Sequence, residues 1–286
     1  MDRMNRNIHI KGMSGDVKVL MEKYSNGREL VQVCKGREWN SDFDDNHFGP
    51  DYRCNSSFEG ISKMSEAFDM LNNGWTDKVD ELKHAIKDVE RRSYSEKNSG
   101  LRPDIVGYVP IVPNAIRGLP MSMLNTNVKP KKNKVINIVY GLSFSCRVDK
   151  EQIIKTGLKV MSAVMKLEAQ GFRVRLTSQQ NYSRDNLHHI LAVNVKSEDQ
   201  PLDAQRVMFP MFHPAMFRSI GFGWYERVPE GKYLSGYGTP LRHVLSHDKI
   251  DDMIEQLYGR TAIYIDGTYA MEDSGYIERR LQGVSL

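Results

Sequence analysis

The chain has 286 residues, 40% of them hydrophobic, with 40 Lys and Arg against 36 Asp and Glu for a formal net charge of +4. That length can bury a large core as one big domain or two modest ones, and so small a basic excess excludes the dense positive loading of a dedicated nucleic-acid binder. Cys34, Cys54 and Cys146 cannot all pair and show no zinc-type spacing, no secretory h-region opens the chain, and no window approaches the ~18 apolar residues of a membrane span. These features predict a reducing, cytoplasmic setting without a structural zinc site and without a membrane.

Residues 1–57 are polar and rich in Asn, Asp and Gly, with only Val17 to Tyr24 and Leu30 to Val33 patterned for short elements. They are set apart as a poorly defined N-terminal region. Residues 58–128 begin with a helical hairpin. Met64, Ala67, Phe68 and Leu71 repeat at helical spacing and Gly74 supplies a left-handed cap; Trp75 opens a second helix, capped by Thr76, with Val79, Leu82, Ile86 and Val89 in one stripe. Four prolines and two glycines between Pro103 and Asn127 exclude a regular helix and predict an extended connector packed across a core.

Residues 129–286 carry the clearest pattern. Val135 to Tyr140 reads as a buried strand, followed by a turn bearing Ser143 and Ser145 and then a long helix. Asp149 and Gln152 have capping-box spacing, Ile153, Gly157, Val160, Met161, Val164 and Leu167 share one face, and Gly171 ends the helix. Phe172, Val174 and Leu176 alternate with arginines in a second strand, and Ile190 to Val195 forms a third. The short turn between them predicts an antiparallel hairpin at the sheet edge. Pro210 and Pro214 break Met208 to Phe217 into short pieces, and Gly221-Phe222-Gly223-Trp224 reads as a turn. A helix around Ile250 to Leu257 stops at Gly259, a strand covers Thr261 to Ile265, and a terminal helix carries Ile277 and Leu281.

The order of elements resembles a von Willebrand factor A domain. In that family a buried strand ends in Asp-x-Ser-x-Ser and a later strand in Asp-Gly, and these hold a divalent metal; here the corresponding segments are Gly141-Leu142-Ser143-Phe144-Ser145 and Ile265-Asp266-Gly267. The resemblance implies an α/β, Rossmann-like sheet with an antiparallel edge strand and an N-terminal helical extension. It also implies a degenerate metal site of Ser143, Ser145 and Asp266 lacking the first aspartate, so the expected cofactor is none or a weakly bound divalent cation. The competing reading gives the two serines to the turn and Asp266 to a helix cap. A second resemblance runs from about Cys54 to Tyr237. SFEGISKMSEAFDMLNNGW, PDIVGYVPIVPNAIRGLPMSML and VINIVYGLSFSCRVDKEQIIKTGLKVMSAVMKLEAQGFRVRL are similar to segments of an uncharacterised family encoded by tailed bacteriophages and prophages, which implies the cytoplasm of an infected bacterial host.

No complete catalytic set stands out. Gly141-x-Ser143-x-Ser145 lacks the second glycine of a nucleophile elbow, no histidine follows Asp266, and His188 and His189, adjacent on a strand, face opposite ways and cannot serve one metal. The expected function is a binding or assembly module working through contacts with a phage or host protein, with self-association left open. The alternative is single-stranded nucleic-acid binding by the basic run Lys129, Lys131, Lys132 and Lys134 together with Tyr233, Tyr237 and Arg242 of an aromatic loop. A hydrolase or nuclease ranks third.

Overall fold

The structure, a computed structural model, describes residues 4–12, 15–37, 54–77, 80, 101–107, 109–126, 134–145, 147–184, 186–228 and 238–282. The expected helical stripe of Val79, Leu82, Ile86 and Val89 lies outside them. The α/β expectation is met by one six-stranded mixed sheet. Its strands are β1 (Met4–Lys11), β2 (Asp16–Tyr24), β6 (Val135–Gly141), β7 (Arg173–Arg184), β8 (Leu187–Lys196) and β9 (Ala262–Asp266), in the spatial order β1-β2-β8-β7-β6-β9.

Strands β7, β6 and β9 are mutually parallel, β8 runs antiparallel to β7, β2 runs parallel to β8, and β1 folds back antiparallel on β2. The predicted β7–β8 hairpin therefore exists, but it is internal: β2 covers the open side of β8. Residues 4–24 consequently belong to the same sheet as residues 135–266, although the polar composition of 1–57 sets that region apart in sequence. The sequence Met-Asn-Arg-Asn-Ile-His-Ile-Lys of β1 is too polar to stand out. As an edge strand with a single neighbour it needs little apolar content beyond the buried Ile10 and the packed Ile8.

Helices cover the two faces unequally. One face carries α1 (Gly27–Gly36), α2 (Met64–Asn73), α4 (Lys150–Ala169), α5 (Ala204–Phe212), a π-helical turn (Met216–Ile220) leading into α6 (Gly221–Tyr225), α8 (Gly267–Glu272) and α9 (Tyr276–Gln282). The other face is covered by α7 (His247–Tyr258), whose Ile250, Met253, Ile254 and Leu257 meet Val17, Val19, Val139 and Ile190. β6 is buried on both sides because Ile136, Ile138 and Tyr140 join the first core and Val139 the second.

Local signals hold where they depend on backbone alone. Gly74, Gly171 and Gly259 sit at φ of +98°, +93° and +94°, which ends α2, α4 and α7 in a conformation that side chains with a Cβ disfavour. Asp149 occupies the N-cap position of α4, yet its side chain makes no cap bond. Gly157 has a tertiary role: a Cβ there would lie 2.2 Å from Cβ of Phe212, so its absence lets α5 lie against α4. The Met208–Phe217 stretch is less broken than expected, since α5 continues to Phe212 with Pro210 inside, and Gly221–Tyr225 is helical instead of a turn. Both are enclosed, and burial of Phe209, Met211, Phe212 and Trp224 outweighs weak local helix preference. Trp75 itself is not helical: its ring packs edge-on against His213 at 4.5 Å while its backbone N–H donates to the Gln205 carbonyl, and the helix expected after it lies, apart from Asp80, outside the described residues. No helix among the described residues is long and apolar enough to cross a membrane.

The connector is the largest departure. β3 (Leu101–Asp104), β4 (Val109–Pro110), α3 (Val112–Ile116) and β5 (Met123–Thr126) build a small separate arm with strand order β3-β5-β4. α3 accommodates Pro113 in its first turn, where a missing N–H breaks no helical bond. The segment is not laid across the core.

Candidate functional site

The predicted metal site falls at the carboxyl ends of β6 and β9, where Gly141 pairs with Asp266. Each of its three residues accepts backbone N–H groups. Ser143 is buried, and its Oγ accepts the Asn181 N–H at 2.9 Å; Ser145 is exposed, and its Oγ takes the Arg147 N–H at 3.4 Å. One Asp266 carboxylate oxygen accepts the N–H groups of Thr268 at 2.8 Å and Tyr269 at 3.2 Å, capping α8. Its other oxygen is buried without a hydrogen bond, and burial pushes the carboxyl above its ordinary pKa.

The position of the missing aspartate is occupied. A Cβ on Gly141 would lie 2.1 Å from the Tyr264 hydroxyl, so a carboxylate there would collide with a buried ring. Divalent cations require several oxygens including carboxylates, and the described residues contain no group of three or more His, Cys, Asp or Glu able to hold a metal. The rim does not fit a divalent cation. It works instead as a clamp: the Thr268 hydroxyl donates to the Ser143 carbonyl at 3.2 Å, joining the β6 and β9 turns.

Of the residues expected to contact nucleic acid, only Lys134 and Arg242 are among the described residues. Lys129, Lys131, Lys132, Tyr233 and Tyr237 lie outside the described residues, and Lys134 is exposed at the start of β6. Arg242 is held by Glu272 through two 2.8 Å bonds and lies 4.7 Å over the Tyr269 ring. The described aromatics before that loop are core: Trp224 donates to the Tyr24 hydroxyl at 2.8 Å and Tyr225 stacks on Tyr182 at 4.7 Å. His188 and His189 are both buried, and burial brings His188 down to about 4.

What the structure does expose is apolar. Of eight large hydrophobic residues exposed among those described, seven fall between Ile105 and Met121, in the arm. Ile105, Val106 and Ile116 are 67%, 72% and 80% exposed. Gly107 lets the tip fold tightly, since a Cβ there would meet the Leu124 carbonyl oxygen at 2.2 Å. The four prolines marked this segment in the sequence, but an apolar run reads alike whether buried or exposed.

Residues 6–280 match DUF7192, a domain family of unknown function. The chain belongs to that family. No curated protein and no solved structure matches it. The DUF7192 match begins within β1 and ends within α9, so it takes in the N-terminal hairpin and the arm as well as the 135–266 strands.

Proposed function

We propose that this DUF7192 protein is a binding or assembly module that engages a protein partner through the arm. One observation carries the reading: the exposed apolar side chains of residues 105–121, on a small sheet that buries little of its own surface. Charge narrows the partner. Residues 101–134 contain six Lys and Arg and one Asp, a formal +5 against +4 for the entire chain, so the basic excess resides in this segment. A protein surface with an apolar centre and an acidic border complements it. In this reading the partner is a phage or host protein in the bacterial cytoplasm.

The test is purification of complexes from cells carrying the protein, with and without nuclease. A protein complex that survives nuclease and is lost in the doubly substituted Val106→Asp, Ile116→Asp chain supports the reading. Loss on nuclease treatment favours the nucleic-acid alternative, and concentration-dependent sedimentation of the pure chain, abolished by the same substitutions, would make the partner a second copy.

A further inference from the structure

The sheet has a second set of carboxyl ends. β2 and β8 run parallel and end on the side opposite those of β6, β7 and β9. β2 passes into α1 through Ser25 and Asn26, and β8 passes toward α5 through residues 197–203. Between these turns lies a crevice of about 310 Å³ whose polar lining includes Asn26, Arg28, Asn194, Ser197, Gln200 and Arg206. Crevices outside strand carboxyl ends are where open α/β sheets take ligands.

The charge of this crevice is unbalanced. Among the described residues no carboxylate lines it. Arg28 has no ion pair among the described residues. Arg206 meets only Asp203, at 3.5 Å, and that carboxylate is also occupied in capping α5. Asn194 Oδ1 is hidden from water without a partner. An adjoining recess shares Ser25, Asn194 and Ser197 and adds Lys23, Arg175 and Glu198. Arg175 already binds Glu198 through bonds of 2.5 and 2.8 Å, and Lys23, which lies 5.2 Å over the Tyr258 ring, has no acidic partner among the described residues. Burial, then Arg175 and Arg6, press Lys23 below its ordinary pKa. The start of α1 is not the binding element, because Asn26 Oδ1 and the Glu29 carboxylate already occupy the Glu29 and Ser25 N–H groups.

We propose that this crevice binds a small phosphorylated molecule of about mononucleotide size, with its phosphate against Arg28 and Arg206 and its polar remainder against Asn26, Asn194 and Gln200. Two guanidinium groups suit the fork geometry and double charge of a phosphate. The Asn26 and Gln200 carbonyl oxygens already accept the Glu29 and Ser197 N–H groups, which leaves their side-chain N–H groups as donors to the oxygens or ring nitrogens of a hydroxylated or heterocyclic body. The volume lies at the small end of ligand pockets, which favours one compact molecule over a length of polymer.

Thermal melting and calorimetric titration of the full chain with pyrophosphate, adenosine monophosphate and oligothymidylate, against chloride at matched ionic strength, test the assignment. Pyrophosphate and the nucleotide at millimolar concentration should raise Tm where chloride does not. Arg28→Gln and Arg206→Gln should each weaken binding by about tenfold or more, with unliganded Tm unchanged because both side chains are exposed. No stabilisation, or stabilisation that both variants retain, overturns the proposal. Tighter binding of oligothymidylate than of the nucleotide, lost in the same variants, assigns the phosphate chemistry to a strand and overturns the small-molecule reading. Neither variant touches the arm, so loss of this site leaves the partner-binding reading standing.

Discussion

At the carboxyl ends of β6, β7 and β9 the polar residues Ser143, Asn181 and Asp266 are at most 4% exposed, whereas in the arm Ile105, Val106 and Ile116 are 67 to 80% exposed. A buried polar group is tolerated when fixed partners replace water. Asn181, Thr268 and the first turn of α8 supply part of that replacement, while the second Asp266 oxygen is buried without a hydrogen bond. Exposed aliphatic groups contribute little to the isolated chain, and the proposed partner contact would account for them. The same comparison predicts opposite consequences for one kind of substitution. A charge placed in the sheet attacks folding; a charge placed in the arm attacks binding.

The largest effect belongs to the sheet. Ile136→Asp puts a carboxylate into a core where Ile136 is 2% exposed, and it should cost about 4 kcal/mol or more. Soluble yield and Tm measure it, and a melting temperature within a degree or two of wild type would remove β6 from the centre of the sheet. Next comes Gly157→Val, which drives a side chain into Phe212 and should destabilise by about 2 to 3 kcal/mol through α4–α5 separation. Denaturant melts report it, with Gly36→Ala as the control because nothing lies within 4 Å of a Cβ at that position.

Acid should act on the body through its histidines. Burial lowers His188 and His213 from 6.5 to about 4, and the His213 Nδ1 accepts the Ala215 N–H, which favours the neutral ring. Between those values the unfolded chain binds protons that the folded chain refuses. The contribution of these residues is therefore complete above pH ~6.5 and is lost as pH falls toward 4, on the order of 1 to 2 kcal/mol per histidine between pH 7 and 5. Urea melts at the two pH values should show the loss, and His188→Gln should make it shallower.

A smaller effect separates the two roles once available to Asp266. Asp266→Ala removes the α8 cap and should cost about 1 kcal/mol. Asp266→Asn keeps an acceptor and removes the buried charge, so at neutral pH it should match or exceed wild type. The carboxyl is raised in the fold, so the wild-type penalty grows as pH rises from the unfolded value through the folded one and persists above it. Magnesium or manganese should leave Tm unchanged in all three proteins, and metal-dependent stabilisation lost in both variants would restore the cation site. The smallest change in stability is expected in the arm: Val106→Asp or Ile116→Asp should shift stability by less than about 0.5 kcal/mol while abolishing partner capture. A drop in Tm as large as that of Ile136→Asp would show that the arm packs on the body and would end the comparison.

Some of this was legible in the chain. The strand at Val135, the α4 face from Ile153 to Leu167 and the terminators Gly74, Gly171 and Gly259 were readable because periodicity and backbone sign are local properties. The rim residues were also located, at the ends of the right strands, but their use was not. Gly141 looks like a lost ligand in sequence; in space it makes room for Tyr264, more than 100 positions later.

By itself, then, the sequence determined that this is an α/β protein with a buried β6–α4–β7 unit, since hydrophobic period and glycine chemistry act over a few residues. The tertiary structure alone decided that polar β1 and β2 complete the sheet, that Ser143 and Asp266 take N–H groups of Asn181 and of the first turn of α8, and that the proline-rich arm exposes its apolar side chains. Each of those outcomes depends on which distant surfaces meet, and an apolar or polar run carries no mark of whether a partner surface will reach it.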